Sequence, residues 1–169
     1  MNQGVHTVDL LVAAMGRPVE VFAYTATLAH QRIEVEDVAA AVVRFSSGAL
    51  GVLHATTAAY PGLSARLQVH GDRGSAVIDN DRLVFLQRTA PGSEAQEHAY
   101  GSTATREAPT AGSEPGQLSD SHRLQYLNFL GALDGTDRLR VDLETNRQSI
   151  AVITGAYSSA RTGRPVRLS

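Results

Sequence analysis

The sequence predicts an α+β fold, with an open, mainly antiparallel sheet of about six strands and helices on one face. Two observations carry this prediction. Short segments that alternate apolar and polar residues follow one another between residues 18 and 87, separated by turn residues. Segments with helical periodicity precede and follow them. The chain has 169 residues, enough for one core of ordinary size, and we expect residues 1–169 to form a single domain.

Three segments place apolar residues at helical spacing. The predicted helices are residues 4–15, 122–133 and about 143–162. Glycine follows each of them, at Gly16, Gly135 and Gly163, and glycine is favoured where a helix ends. Side chains that can cap a helix precede the last two, at Ser119-Asp120-Ser121 and at Asp142. In the last helix we expect a buried stripe of Ile150, Ile153, Tyr157 and Ala160.

The strands are predicted from period-two alternation and from β-branched residues. They cover residues 18–29, 37–45, 49–60, 64–70, 75–79 and 82–87. Ser46-Ser47-Gly48 joins the second strand to the third as a β-hairpin, because Gly48 supplies the backbone freedom that a tight turn needs. Residues 89–118 lack periodicity and are dense in Pro, Gly, Ser and Thr, so we expect a long loop there.

The first hairpin strand is apolar on both faces. Ala39, Ala41, Val43 and Phe45 alternate with Val38, Ala40 and Val42. The predicted helices can scarcely cover both faces of such a sheet, so the second face needs another partner. We expect that partner to be a second copy of the chain, in a homodimer or a larger homo-oligomer. The alternative is that small, alanine-rich positions tolerate water.

The composition excludes several classes of chemistry. The chain has no cysteine, which removes disulfides, thiolate nucleophiles and cysteine-based zinc sites. It has no lysine, which removes Schiff-base chemistry and a P-loop lysine. A net charge of −2 gives no reason to expect nucleic acid or an anionic membrane surface as partner. No apolar run is long enough to span a bilayer and no secretory signal is evident, so we expect a cytoplasmic protein.

Asn2, His6 and Asp9 lie four and three residues apart near the start of the first predicted helix, which places them on one side of it. A histidine there could act as general acid or base near neutral pH. The flanking amide and carboxylate could fix its tautomer or bind a substrate hydroxyl. The plain alternative is a surface pair of histidine and aspartate. His122, beside the start of the next-to-last helix, could reach a substrate pocket, although a capping or solvent-exposed role is the commoner one.

Several short motifs occur in an order that resembles the Gfo/Idh/MocA family of oxidoreductases. Gly4-Val5-His6-Thr7-Val8-Asp9 is similar to the family's G-x-H-x-x-D segment. The segments Phe45–Ala49 and Val69–Ser75 resemble two of the family's turns. Asn128-Phe129 resembles its [DN]-F pair, and Tyr157–Gly163 closes the last helix as family members do. The likeness runs from about residue 2 to residue 168.

The resemblance implies the substrate-side domain of a two-domain enzyme, similar in fold to the carboxy-terminal domain of glyceraldehyde-3-phosphate dehydrogenase. The other domain of family members is a Rossmann domain that binds NAD or NADP. Such enzymes move a hydride between nicotinamide and a carbinol carbon of a sugar, inositol or related polyol. By analogy His6 takes the proton from the reacting hydroxyl. Asn2 stands where many members have aspartate and would help to orient the substrate or the histidine.

The chain lacks the parts with which the family holds its cofactor. It has no lysine, and no G-x-G-x-x-G motif follows an amino-terminal strand. Gly71-Asp72-Arg73-Gly74 stands between two predicted strands and is expected to be a turn. We therefore expect this chain to bind no cofactor itself and to be inactive without a Rossmann domain.

Two further interpretations remain open from the residues alone. The chain could be a stand-alone, non-enzymatic module that self-associates or binds a partner through its sheet face. It could also be a lyase or isomerase that uses His6 with Asp9, which needs only proton chemistry. No metal site is expected, because the six histidines include no closely spaced pair.

Overall fold

The computed structural model describes residues 4–80, 82–88 and 115–169. These residues form two compact units, which divide after Tyr60 and again ahead of residue 115. In chain order the elements are α1 (Gly4–Met15), β1 (Pro18–Ala26), β2 (Val38–Phe45), β3 (Leu50–Thr56), β4 (Arg66–Gly71), β5 (Gly74–Asp79), β6 (Arg82–Arg88), α2 (Pro115–Leu133), α3 (Leu143–Thr162) and β7 (Val166–Arg167).

The first unit is built on a four-stranded antiparallel sheet with the strand order β3-β2-β1-β7. Val21 on β1 lies opposite Val43 on β2, which in turn lies opposite Gly51 on β3. The short strand β7 pairs with β1 only at Glu20 and Val21. α3 packs along β1, and α1 packs against α3 and touches β3.

The second unit is a three-stranded antiparallel sheet with the strand order β4-β5-β6. A turn at Asp72-Arg73 joins β4 to β5, and β6 returns along β5. The α+β class and the antiparallel arrangement are therefore confirmed. The strands belong to two sheets in the described residues, where the sequence suggested one sheet.

The first strand is shorter than predicted. β1 ends at Ala26 and not at residue 29. The backbone N–H groups of Leu28, Ala29 and His30 bond the carboxylate of Asp37 at 2.7–2.8 Å, so they are not available to a neighbouring strand. The Asp37 carboxylate therefore ends this strand, and no pattern within the strand's own sequence predicts this end.

The second helix begins earlier than predicted. α2 starts at Pro115, so residues 115–118, which were expected to end the long loop, are helical. Ser119-Asp120-Ser121 therefore lies inside the helix and not ahead of it. Proline is favoured in the first turn of a helix, because its missing N–H would have no partner there. The remainder of the predicted loop, residues 89–114, lies outside the described residues.

The four-stranded sheet has one covered and one open face. Ala39, Ala41, Val43 and Phe45 point towards the helices and are buried, as predicted from their alternation. The opposite side, here called the outer face, is formed by Phe22, Tyr24, Val42 and Val52. The last three of these side chains are 45–81% exposed in the described part of the chain.

The buried side of α3 is rotated slightly about the helix axis from the stripe that the sequence predicts, so that prediction is wrong. The residues that are buried are Ser149, Val152, Gly155, Ala156 and Ser159. Ile150, which was expected to be buried, is 53% exposed. The reason is distance: a Cβ on Gly155 would lie 2.7 Å from Leu168 Cδ2 and 2.9 Å from Val21 Cγ1. Small side chains face the sheet because α3 lies too close to β1 for large ones.

Ser159 completes the hydrogen bonding of β1 where β7 has ended. It is fully buried, and its Oγ accepts a hydrogen bond from the Ala23 N–H at 3.0 Å. The same hydroxyl donates to the Arg164 carbonyl at 2.7 Å. The Ser159 side chain thus accepts the hydrogen bond that a neighbouring strand would otherwise accept. A buried backbone N–H without a partner would be costly.

We expect Gly155→Ala to lower the free energy of unfolding by about 1–3 kcal/mol, because the added methyl group overpacks the contact with Val21. This loss should appear although alanine favours a helix over glycine by about 1 kcal/mol. Thr154→Ala, on the exposed side of the same helix, is the control and should change stability by less than about 0.5 kcal/mol. Urea denaturation measures both variants. A more stable Gly155→Ala protein would contradict the close contact.

Candidate functional site

The helix that carries the predicted catalytic histidine is held by its apolar side. Val8, Leu11 and Val12 are buried between α1 and the rest of the first unit. Leu11 lies so close to β3 that a Cβ on Gly51 would be 3.3 Å from its Cδ2. His6 lies elsewhere on the helix and is exposed to solvent. Its imidazole can therefore meet a ligand while its backbone belongs to a packed helix.

Asp9, one turn after His6, is tied to α3. The Oγ of Ser149 donates a hydrogen bond to Asp9 Oδ1 at 2.8 Å. Ser149 is buried and Asp9 is half-buried. The sequence proposes Asp9 as a substrate ligand, and the structure adds a second, structural partner for one of its oxygens.

The structure places the other predicted site residues as follows. Asn2 lies outside the described residues. His122 is exposed on α2. In the described part of the chain, Asp9 bonds Ser149 and not His6, and no hydrogen bond or ion pair joins His6 to His122. His6 and Asp9 share α1, and their assignment to a substrate site stays a prediction.

Asn128 on α2 bonds three residues of the connection between α2 and α3. Its Nδ2 donates to Asp137 Oδ2 and to the Arg138 carbonyl, both at 2.8 Å, and its Oδ1 accepts from the Arg140 N–H at 3.0 Å. The hydrogen bond from Asn128 helps to hold the pKa of Asp137 below its usual value. The sequence shows the Asn128-Phe129 pair only as a family likeness, and the structure supplies a reason for the amide: an ionised carboxylate at this position could not donate to Asp137.

Tyr157 and Glu36 form a contact that the sequence did not reveal. Tyr157 Oη donates to Glu36 Oε1 at 2.6 Å, which joins α3 to the segment ahead of β2. Burial, and next the Glu36 carboxylate, raise the pKa of Tyr157 to about 12. The phenol therefore keeps its proton and remains a donor throughout the neutral range. No signal in the sequence connects two residues so far apart in the chain.

Asp37 organises the segment between β1 and β2. Its buried carboxylate accepts three backbone N–H groups, from Leu28, Ala29 and His30, and lies 3.3 Å from the His30 Nδ1. Its carbonyl accepts from the Thr56 hydroxyl at 2.9 Å. The hydrogen bonds to the carboxylate, first of all the one from the Leu28 N–H, hold the pKa of Asp37 far below its usual range. Asp37 immediately precedes β2, and its hydrogen bonds give it a structural role in this segment.

The glycine-containing turn at residues 71–74 does not fit a dinucleotide. It joins two strands and opens no helix, so it offers no helix N-terminus to a pyrophosphate. Gly74 has φ 153°, and a Cβ there would clash with the Gln87 carbonyl of β6. The glycine therefore admits a neighbouring strand and not a phosphate group. Within the described ranges, no three histidine or acidic side chains come together as a metal site, and no helix is long and apolar enough to cross a membrane.

Comparison with known proteins identifies the family. The family model described as “Oxidoreductase family, C-terminal alpha/beta domain”, that of the Gfo/Idh/MocA enzymes, matches residues 1–168. The chain belongs to this family. Myo-inositol 2-dehydrogenase from Thermotoga maritima is 36% identical over 86 residues, which cover 48% of this chain and 26% of that protein.

Solved structures of relatives share the fold over the whole chain. The WlbA dehydrogenase from Bordetella pertussis, determined in complex with NADH and UDP-GlcNAcA, is 31% identical with a TM-score of 0.73. It is matched over 100% of this chain and 44% of its own. The WlbA dehydrogenase from Chromobacterium violaceum is 29% identical with a TM-score of 0.74, over 100% of this chain and 45% of its own. The chain thus spans less than half the length of these relatives.

We expect the Asp37 carboxylate to make stability depend on pH. Its pKa is lowered by folding, so its contribution is complete above the unfolded pKa of about 4 and is lost as the pH falls through the folded value. Asp37→Asn, whose amide hydrogens would face the donors of the loop, should lower Tm at pH 7 by roughly 5 °C or more.

The difference in Tm between the wild type and Asp37→Asn should narrow as the pH falls below about 4. Thermal melts followed by circular dichroism between pH 7 and pH 2.5 measure it. Asp72→Asn, in the exposed turn between β4 and β5, is the matched control and should follow the wild type at every pH. A constant difference across this range would contradict the role given to the Asp37 charge.

Proposed function

We propose that this chain is the substrate-binding and oligomerisation domain of an NAD(P)-dependent oxidoreductase that acts on a sugar, inositol or related polyol. The observation that carries the proposal is the family's G-x-H-x-x-D segment on a packed helix with its histidine exposed, in a chain that belongs to the family throughout. The names of the relatives support the substrate class, because one acts on myo-inositol and another was solved with a nucleotide sugar acid.

His6 is the candidate acid–base group. Its imidazole would take the proton of the substrate's reacting hydroxyl and return a proton to the carbonyl oxygen in the reverse direction. A bound nicotinamide supplies hydride transfer, and the turn at residues 71–74 does not fit such a cofactor. We therefore assign to this chain only the proton transfer, by His6, and contacts with substrate, by Asp9 and His122 and by Asn2, which lies outside the described residues.

A cofactor titration gives the first test. We expect the 169-residue chain to bind neither NADH nor NADPH at micromolar concentration, measured by quenching of the nicotinamide fluorescence and by calorimetry. A WlbA dehydrogenase, which was solved with NADH, serves as positive control. Micromolar affinity in this chain would overturn the assignment of cofactor binding to another domain.

The second part of this test uses the reading frame around the Met1 codon. If an in-frame βαβ unit with a glycine-rich turn lies upstream, the whole frame is expressed and assayed for NAD+ or NADP+ reduction with a panel of polyols. His6→Gln should lower kcat at least about 100-fold, and His70→Gln in the β4–β5 hairpin is the matched control. Stop codons upstream would favour a stand-alone module, and an active His6→Gln enzyme would remove His6 from the chemistry.

The outer face of the sheet is the proposed surface of self-association. Tyr24, Val42 and Val52 form an exposed apolar group that extends across β1, β2 and the edge strand β3. Glu20 and Arg44 on this face lie 3.8 Å apart as an ion pair, so their charges balance. A second copy offers the same apolar surface about a twofold axis. This surface serves equally in a stand-alone module, the alternative function, so it does not by itself distinguish the two.

Sedimentation equilibrium tests this surface. We expect the wild type to form dimers or larger species at micromolar concentration and Val52→Lys to shift towards monomer, because a buried ammonium without a partner is costly. Leu143→Lys, at an exposed position at the start of α3, is the matched control and should associate like the wild type. A wild type that remains monomeric at high concentration would contradict association through the outer face.

A further inference from the structure

α1 is attached to the first unit by contacts of two kinds. Val8, Leu11 and Val12 supply apolar burial, which turns one side of α1 towards the rest of the unit, although the hydrophobic effect itself has no preferred direction. The hydrogen bond from Ser149 Oγ to Asp9 Oδ1 is directional and involves a carboxylate, at 2.8 Å. It therefore adds a directional constraint on the rotation of α1 about its axis and on its position along that axis.

The place of His6 follows from that contact. His6 precedes Asp9 by three residues, so within a rigid helix its Cα lies about 4.5 Å away along the axis at a set angle. A shift of Asp9 relative to α3 would move His6 by the same amount. Displacements of about 1 Å in a catalytic group can cost a large part of the rate.

We propose that Ser149 is a positioning residue, which acts through Asp9 to set the register of α1 and so the location of the His6 imidazole. The proposal rests on the proposed function only for the use made of His6. The hydrogen bond is independent of that function. Ser149 is buried, lies on another helix, and is separated from Asp9 by 140 residues of sequence.

The two partners are not equivalent, which sharpens the test. Ser149 Oγ has a second acceptor within reach, the Thr145 carbonyl one turn back at 3.4 Å. Without Asp9 the hydroxyl can turn to that carbonyl, as serine often does inside helices. Without Ser149, Asp9 Oδ1 loses its donor in a half-buried position, so Ser149→Ala should disturb α1 at least as much as Asp9→Ala.

Amide hydrogen exchange by NMR on the 169-residue chain tests the proposal. In Ser149→Ala, exchange of the α1 amides should become about tenfold faster, the effect expected for loss of one hydrogen bond to a charged group. Amides of β1 and β2 should change by less than about threefold. The ring resonances of His6 should shift as well. Ser149→Thr keeps the hydroxyl and should restore both signals, and Thr154→Ala is the control on the same helix.

A double-variant cycle shows whether Ser149 acts through Asp9. The Asp9→Ala, Ser149→Ala protein should exchange its α1 amides no faster than Ser149→Ala alone, because one contact is removed in each case. Additive effects, or equal acceleration of amides throughout the first unit, would overturn the positioning role. If Ser149→Ala does not fold, Asp9→Asn replaces it, which retains an oxygen at Oδ1 and weakens the contact.

The outcome is separable from that of the proposed function. If His6→Gln retains activity while Ser149→Ala loosens α1, the catalytic assignment fails and the positioning of α1 stands. If His6→Gln is inactive and Ser149→Ala leaves the α1 amides and the His6 ring unchanged, the catalytic assignment stands and the positioning fails.

Discussion

The close contact between α3 and β1 is the constraint on which the first unit depends. Gly155 lets the helix approach Val21 so nearly that no Cβ fits between them. At that distance the hydroxyl of Ser159 reaches the Ala23 N–H, which β7 is too short to satisfy. A larger residue at either position would separate helix from sheet and leave a backbone donor unpaired in the core.

α3 also forms hydrogen bonds to the surrounding segments through polar side chains. Ser149 bonds Asp9 of α1, and Tyr157 bonds Glu36 ahead of β2. Asp37, next to Glu36, then gathers the backbone N–H groups that follow β1. α3 therefore bonds both α1, which carries His6, and the loop between β1 and β2. α3 itself is packed on the sheet. These directional hydrogen bonds add to the constraints that the apolar packing already imposes.

The two faces of the four-stranded sheet differ in burial within the described residues. The inner face anchors α3 and α1, and through them the candidate acid–base group. The outer face is apolar and exposed, which suits association between copies. In the proposed function, proton chemistry and assembly would use opposite sides of this sheet and different residues. The chain belongs to the oxidoreductase family and corresponds to less than half the length of the relatives that were solved with NADH.

The sequence by itself determined the α+β class, the family, the α1 and α3 boundaries and the alternation of β2, because those features rest on local periodicity, glycine stops and motif order. It did not determine which side of α3 is buried. Hydrophobicity pointed to Ile150, whereas the short distance to β1 selects Gly155 and its small neighbours. The partners of Asp9, Tyr157 and Asp37 were likewise invisible. Each lies on an element that only folding brings near, and such contacts leave no period or motif in the chain.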